Sequence, residues 1–154
     1  MTANVNFLRF LFSAILITGG YGLNTTELFL LSSGTSCTLP PLPHTRYGHT
    51  LDQHILCGGK DSEDTCLQWS PDTGTWEELL TLDVPRSNHV SWTTGIGTYL
   101  MGGHCNIGCL NGNTTSLIKT DGTQEAGFDL KYDTVYVWMV HKWYTFIRKA
   151  RYSI

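Results

Sequence analysis

The sequence predicts an all-β protein built from about three copies of one four-stranded unit. Two observations support this prediction. Three short apolar runs each end in a pair of glycines, and an Arg-x-x-His pattern stands ahead of the second and third runs. The sequence shows no helix signals, no heptad pattern and no run of about 18 apolar residues, so a coiled coil and a membrane span are not expected.

Composition favours a packed core over disorder. The chain has 154 residues, of which 41% are hydrophobic and 15% are charged. Sixteen glycines against five prolines indicate many tight turns. The formal net charge of −3 implies no basic face, so nucleic acid is not an expected partner.

The double glycines divide the chain into repeats. Each ends a run that reads as a buried strand, because glycine supplies the backbone freedom that a strand end needs. They lie 39 and 44 residues apart, at Gly19-Gly20, Gly58-Gly59 and Gly102-Gly103.

The Arg-x-x-His pattern begins at Arg46 and recurs 40 residues later at Arg86. Each copy precedes a strand, a turn and the strand that ends in Gly-Gly, which predicts a hairpin. Its histidines, His49 and His89, are candidates for catalytic bases or metal ligands. Their recurrence at one repeat position favours a structural role as hydrogen-bonded imidazoles, and the two arginines are expected to make matching contacts between units.

A third and a fourth strand follow each double glycine, clearest in the second repeat. Trp69 and Trp76 lie seven residues apart on these two strands, on either side of a predicted turn at residues 71–74. Their expected equivalents are Leu30 and Cys37 in the first repeat, and Leu117 and Gln124 in the third.

The order Arg-x-x-His, strand, Gly-Gly, strand, turn and Trp resembles the kelch repeat, best in residues 46–82. A WD40 unit is disfavoured because no Trp-Asp dipeptide occurs. The resemblance covers roughly residues 14–133 and implies kelch-type β-propeller blades. Because closed propellers use four to eight blades, about three four-stranded blades predict an incomplete ring: a fragment, a truncated or splice form, or a ring that a partner completes. The blades are placed at residues 14–43, 44–83 and 84–133.

The two ends fall outside this pattern. Residues 1–13 are either a secretory signal, with Arg9 ahead of an apolar stretch, or an extra strand of the first blade. Residues 134–154 form a basic aromatic tail, either an edge strand or an amphipathic surface segment. Val135–Ile154 carries four basic and no acidic residues, whereas residues 1–134 carry six basic and thirteen acidic ones.

Two pairs among the five cysteines are candidates for disulfides, Cys57 with Cys66 and Cys105 with Cys109. Each pair flanks or shares one loop after a double glycine, and the alternative is that these cysteines are buried or free thiols. Cys37 would remain unpaired or pair with a missing blade.

A metal site built from His104 and the second cysteine pair would lack a fourth ligand. No metal or cofactor is therefore expected at this loop.

Two N-glycosylation sequons begin at Asn24 and Asn113, both in the loop that follows a double glycine. Together with the candidate signal and the candidate disulfides, they favour a secreted protein over a cytoplasmic one.

The expected function is a protein-protein interaction module, because variable loops on a rigid scaffold usually carry recognition. The loops in question are residues 21–26, 60–64 and 104–114. No enzyme activity is expected, since no Ser-His-Asp spacing rises above chance. The kelch resemblance also leaves two alternatives: a fragment of a galactose-oxidase-like copper enzyme, which needs His and Tyr from more blades, and a substrate adaptor of a ubiquitin ligase, which needs a further dimerisation domain.

Overall fold

The computed structural model describes residues 14–104 and 112–131, together with the backbone of residues 136–140 and 144–148. Within these ranges the chain forms thirteen strands and no helix. The strands make three antiparallel sheets of three or four strands and one separate hairpin, and none of the sheets is closed. The prediction of an all-β fold is confirmed. The predicted signal or extra strand at residues 1–13 lies outside the described residues.

Sheet 1 has three strands in the order β1-β2-β3. Within the described residues no strand pairs with the outer edge of β1. The strands are β1 (Ala14–Gly20), β2 (Leu23–Leu30) and β3 (Thr35–Leu39).

Sheet 2 and sheet 3 each have four strands that pair in chain order. Sheet 2 consists of β4 (Thr50–Asp52), β5 (Ile55–Cys57), β6 (Thr65–Ser70) and β7 (Thr75–Thr81). Sheet 3 consists of β8 (Val90–Thr94), β9 (Gly97–Met101), β10 (Thr115–Lys119) and β11 (Gln124–Ala126).

A two-stranded hairpin follows sheet 3, formed by β12 (Tyr136–Val140) and β13 (Tyr144–Arg148). Strand β12 lies beside β8, just as β8 lies beside β4. The hairpin backbone therefore continues the row that the first strands of sheets 2 and 3 begin.

The turn between β2 and β3 in sheet 1 and the turn between β6 and β7 in sheet 2 rely on glycine. The amide of Gly34 donates to Leu30 O at 2.9 Å, and that of Gly74 donates to Ser70 O at 2.8 Å. Both glycines have φ of +67°, a left-handed conformation that side chains with a Cβ disfavour. Residues 31–34 and the predicted turn at residues 71–74 thus close the same kind of turn in sheets 1 and 2.

The sheets stack face to face, with a hydrophobic layer on each side of sheet 2. Burying these side chains is the main source of stability for the stack, at roughly 25 cal/mol per Å² of apolar surface. The layer between sheets 1 and 2 contains Leu42, Leu56, Leu67, Trp69 and Trp76, with Leu16, Leu39 and Leu51 at its margin. The layer between sheets 2 and 3 contains Cys57, Cys66, Leu82, Leu100 and Ile118, with Ile55, Leu79 and Leu80 at its margin.

The two tryptophans form a cross-strand pair, as their spacing predicts. Trp69 is directly opposite Trp76, with ring centroids 5.4 Å apart in an edge-to-face arrangement. The indole of Trp76 also donates to Thr26 Oγ1 of sheet 1 at 3.2 Å. This pair therefore joins two sheets as well as two strands.

Three of the four expected equivalents of these tryptophans lie one residue away from the true position, whereas Gln124 is correct. The pairs at the same register are Phe29 with Ser36 in sheet 1 and Ile118 with Gln124 in sheet 3, rather than Leu30 with Cys37 and a pair including Leu117. The strands that flank the double glycine pair Thr18 with Thr26 in sheet 1 but Cys57 with Cys66 in sheet 2. The second loop is therefore one residue longer, and a constant spacing of 39 fails beyond it.

Cys57 and Cys66 form a disulfide between β5 and β6, which confirms one predicted pair. Both residues are fully buried against sheet 3. Cys37 is a free and exposed thiol on β3. Cys105 and Cys109 lie outside the described residues, so their pairing stays a prediction.

We predict that replacing both bridged cysteines (Cys57→Ala with Cys66→Ala) lowers the free energy of unfolding by about 2–3 kcal/mol, because a closed loop of this length restricts the unfolded chain by that amount. Urea unfolding under non-reducing conditions measures the change. Cys37→Ser is the matched control and should leave the urea midpoint unchanged. Equal stabilities of the double variant and the wild type would contradict the prediction.

Candidate functional site: the double-glycine rim

The double glycines, the loops after them and the connections between sheets lie together at one end of the stack. Tyr47 forms an antiparallel β-bridge with Lys60, and Ser87 forms one with His104. Each bridge joins the connection that enters a sheet to the loop after the double glycine of the same sheet. We call this end the double-glycine rim; it comprises residues 19–22, 43–49, 58–64, 84–89 and 102–104. The turns inside the sheets lie at the opposite end, the turn rim, which comprises residues 53–54, 71–74, 95–96 and 120–123.

Arg46 is fully buried beneath the rim and binds the backbone of its own sheet. Its Nη1 donates to Gly58 O at 3.2 Å and to Thr65 O at 3.3 Å, and its Nη2 donates to Thr65 Oγ1 at 3.0 Å. The guanidinium thus satisfies carbonyls at the point where β5 ends and β6 begins.

Arg86 repeats this arrangement in sheet 3 and is 1% exposed. Its Nη1 donates to Gly102 O at 3.0 Å and to Thr114 O at 3.3 Å, while Nη2 donates to Ser116 Oγ at 3.0 Å. Burial lowers the pKa of both arginines to about 10, and for Arg46 the nearby charge of Asp64 opposes this effect. Both remain cationic donors at neutral pH.

The same arginines contact the preceding sheet through their backbone. Gly20 N donates to Arg46 O, and Gly59 N donates to Arg86 O, both at 2.9 Å. A Cβ on Gly19 would collide with Arg46 O, and the neighbouring repeat shows the same close approach. The matching contacts predicted for the arginines are therefore of two kinds: the carbonyl joins two sheets, whereas the guanidinium closes its own sheet.

The two repeat histidines also join neighbouring sheets. His49 Nε2 lies 2.8 Å from Thr18 Oγ1 of sheet 1, and His89 Nε2 lies 2.8 Å from Thr50 Oγ1 of sheet 2. These contacts support the structural role that the sequence favours for them.

Both imidazoles are held in the neutral form. Burial, and then the charge of Arg46, lowers the pKa of His49 to about 4, although a hydrogen bond with Thr18 opposes the shift. Burial, with the charges of Arg86 and His49, lowers the pKa of His89 to about 3. The buried Nδ1 of each ring has no hydrogen-bond partner among the described residues. A protonated ring would carry an N–H at that position without an acceptor.

The exposed surface of the rim centres on two tyrosines. Tyr21 is 85% exposed, and its ring centroid lies 5.2 Å from that of Tyr47, at an interplanar angle of 53°. Asp61 is exposed on the loop that follows Gly59, with φ of +74°. Lys60 and Glu63 of that loop form an ion pair at 4.0 Å. The tyrosine pair was not singled out from the sequence, because its members are 26 residues apart in different repeats.

The loops that the sequence assigns to recognition differ in extent. The first is only the two-residue turn at Tyr21 and Gly22, since β2 begins at Leu23 rather than after residue 26. The second is described completely, and most of the third lies outside the described residues. The rim is therefore described chiefly in sheets 1 and 2.

The two sequon asparagines occupy equivalent positions. Asn24 O accepts from Leu42 N at 2.7 Å, and Asn113 O accepts from Leu130 N at 2.5 Å. Asn24, however, lies within β2 rather than in a loop, and its side-chain amide donates to Leu42 O at 3.0 Å. That amide nitrogen would have to leave the carbonyl before a glycan could be attached to it.

A cavity lies at the turn rim between sheets 2 and 3. It has a volume of about 280 Å³ and is lined by polar side chains together with Ile55, Leu79 and Ile118. One Asp52 oxygen accepts from the amide of Thr93 at 2.6 Å, so this carboxylate connects the two sheets. The other polar lining residues include His54, Gln68, Thr94 and Lys119.

The described ranges contain neither a metal-ligand cluster nor a membrane-spanning helix. Within these ranges no three His, Cys, Asp or Glu side chains are close enough to hold a metal ion. Two of the three residues that the sequence offers as metal ligands, Cys105 and Cys109, lie outside the described part. No helix in the described part is long and apolar enough to cross a membrane.

Comparison with protein-family models and with curated proteins gives no match to this chain. The resemblance to kelch repeats therefore depends on the repeat marks alone.

We predict that Arg86→Lys destabilises the protein, because one ammonium group cannot reach the two carbonyls and the hydroxyl that the guanidinium spans. Each buried carbonyl left without a donor costs about 1–3 kcal/mol. The free energy of unfolding from denaturant titration measures the loss. Lys119→Met removes an exposed cation paired with Glu125 and serves as the control, with little change expected. A lysine variant as stable as the wild type would show that the fork geometry is dispensable.

We also predict that stability falls as the pH drops below about 6.5, the ordinary pKa of an unfolded histidine. Between that pH and a native pKa of about 3 to 4, the unfolded chain binds more protons than the folded chain, so acid favours unfolding. Each imidazole contributes a slope of at most about 1.4 kcal/mol per pH unit.

The measurement is the free energy of unfolding across this pH range for the wild type and for His89→Gln, which should show the shallower slope. His44→Gln, at an exposed position, is the matched control. Parallel slopes for the wild type and His89→Gln would rule out this origin of acid sensitivity.

Proposed function

We propose that the chain is a kelch-type β-propeller module, whose three sheets are blades of an incomplete ring, and that it binds a protein partner through the double-glycine rim. The stacked sheets of three or four strands are compatible with propeller blades. The repeated arginine, histidine and glycine contacts at one end of each sheet supply the support for this assignment.

The observation that carries the proposed interaction is the exposure of Tyr21. Tyrosine combines a large apolar ring with a polar hydroxyl, and it is among the residues that most often dominate the energy of protein interfaces. Tyr21 sits on a two-residue turn directly after Gly20, whose amide is fixed by Arg46 O. Because the turn is held by the hydrogen bond between Gly20 and Arg46, the exposed ring of Tyr21 is pre-organised to contact a partner.

The charged and titratable groups of the repeats favour recognition over catalysis. The guanidinium of Arg46 and the imidazole of His49 are directed at backbone and hydroxyl partners inside the protein. A catalytic base has to reach a substrate and exchange its proton near the working pH. A buried imidazole with a pKa of about 4 does neither.

We include secretion in the proposal. The disulfide between Cys57 and Cys66 is compatible with an oxidising, extracellular compartment. The two sequons and the apolar N-terminal stretch support the same location. Intact-mass measurement on material collected from culture medium tests signal cleavage and glycan attachment together.

We predict that Tyr21→Ser weakens the binding of a rim partner by roughly tenfold or more, since an aromatic anchor in an interface contributes about 1–2 kcal/mol or more. The purified chain is immobilised and exposed to extracellular proteins, and bound proteins are quantified by mass spectrometry. Ile96→Ser changes a residue that is 60% exposed on the turn rim and is the matched control.

A protein that depends on the rim is lost with Tyr21→Ser and retained with Ile96→Ser. The opposite pattern, or partners that also persist when residues 60–64 are exchanged for a Gly-Ser loop, would refute binding through the double-glycine rim.

A further inference from the structure

Exposed large hydrophobic side chains occur on both outer faces of the sheet stack. On sheet 1, Ile15 and Ile17 are 49% and 51% exposed. On sheet 3, Trp92 and Phe128 are 55% and 57% exposed. Clusters of this kind on a soluble protein mark interaction sites.

The isoleucines of β1 point away from sheet 2. Ile15 and Ile17 pair with Phe29 and Glu27 across the sheet, and directly paired residues share a face. Leu16 lies between them and packs into the layer against sheet 2. Because side chains alternate along a strand, both isoleucines lie on the opposite face, which we call the near face of sheet 1.

The repeats show what normally covers a near face. Ile17 lies two residues before Gly19, as Leu56 lies two residues before Gly58 and Leu100 two residues before Gly102. Leu56 and Leu100 are 0% exposed, because the preceding sheet packs over them. Ile17 on the near face of sheet 1 is therefore hydrophobic like its buried equivalents in sheets 2 and 3. In the described part of the chain, however, no preceding sheet covers it.

The outer face of sheet 3 is also hydrophobic and exposed, like the near face of sheet 1. Trp92 pairs with Tyr99 across β8 and β9, and the Tyr99 ring lies 6.1 Å from that of Phe128. Leu100, the next residue in β9, points to sheet 2. The three aromatic residues therefore lie on the side away from sheet 2, the far face of sheet 3. Strand β12 runs beside β8, yet Trp92 and Phe128 remain more than half exposed.

We propose that a second copy of this chain covers the near face of sheet 1 with the far face of its own sheet 3. Within the chain, each contact between sheets joins a far face to the near face of the following sheet. The proposed contact continues that interface, and both of the faces that it needs are exposed on every copy. It does not depend on the role of the double-glycine rim.

The contact is head to tail, so it either closes into a ring or grows into a filament. Two copies supply six sheets of three or four strands and two hairpins. A closed dimer is the expected form, which rests on the propeller assignment proposed above, since propeller rings close with four to eight sheets.

Sedimentation velocity of the full chain over a wide concentration range tests the proposal, with a dimer of twice the chain mass as the expected species. Ile17→Asp on the near face and Phe128→Asp on the far face should each raise the dimer dissociation constant tenfold or more. Ile96→Asp, on the turn rim, is the matched control and should sediment like the wild type. Circular dichroism confirms that each variant is folded.

Mixing the two variants distinguishes the head-to-tail contact from other dimers. The intact far face of the Ile17→Asp chain can join the intact near face of the Phe128→Asp chain, so the mixture should contain heterodimers at a concentration at which each variant alone is monomeric. A wild-type chain that stays monomeric at all concentrations would overturn the proposal. So would a Phe128→Asp chain that dimerises as tightly as the wild type, since the contact would then not use the far face of sheet 3.

Discussion

The structure depends on two guanidinium groups buried against backbone carbonyls. At the second and third double glycines the chain turns out of its strand, and the glycines there are buried. Arg46 and Arg86 supply several donors in one fixed plane, which satisfy two carbonyls and a hydroxyl at once. Because both arginines stay charged after burial, these bonds persist across the ordinary pH range.

Closure of each sheet and stacking between sheets are coupled through the same residues. The side chain of Arg46 holds sheet 2 together, while its carbonyl accepts a hydrogen bond from Gly20 N of sheet 1. Three residues after Arg46, His49 contacts Thr18 of sheet 1. The polar groups that suggest chemistry in the sequence are thereby used inside the protein. The described surface also exposes aromatic and aliphatic side chains, on the rim and on the outer faces of the stack.

Local structural features could be predicted from the sequence because their residues recur in each repeat or lie close together in the chain. The apolar runs, the turns at Gly34 and Gly74, the tryptophan pair and the Cys57–Cys66 disulfide all follow from patterns within one repeat. The register of sheet 1 could not be predicted from the sequence. The loop after the double glycine is one residue longer in sheet 2 than in sheet 1, so a constant repeat spacing identifies the wrong equivalent residues in β2 and β3. The position of Asn24 in a strand was missed for a similar reason, since the length of a loop is decided by where pairing begins.

The sequence by itself determined an all-β chain of repeated units and the positions at which each unit turns, because strand and turn preferences act over a few residues. Only the tertiary structure decided that the arginines bind carbonyls of their own sheet, that the histidines are neutral, and that Tyr21 meets Tyr47. It also decided which hydrophobic residues stay exposed: Ile17 and Leu56 hold the same place in their repeats, yet only one is covered. Burial is a property of the neighbouring sheet, and no pattern within a single repeat encodes it.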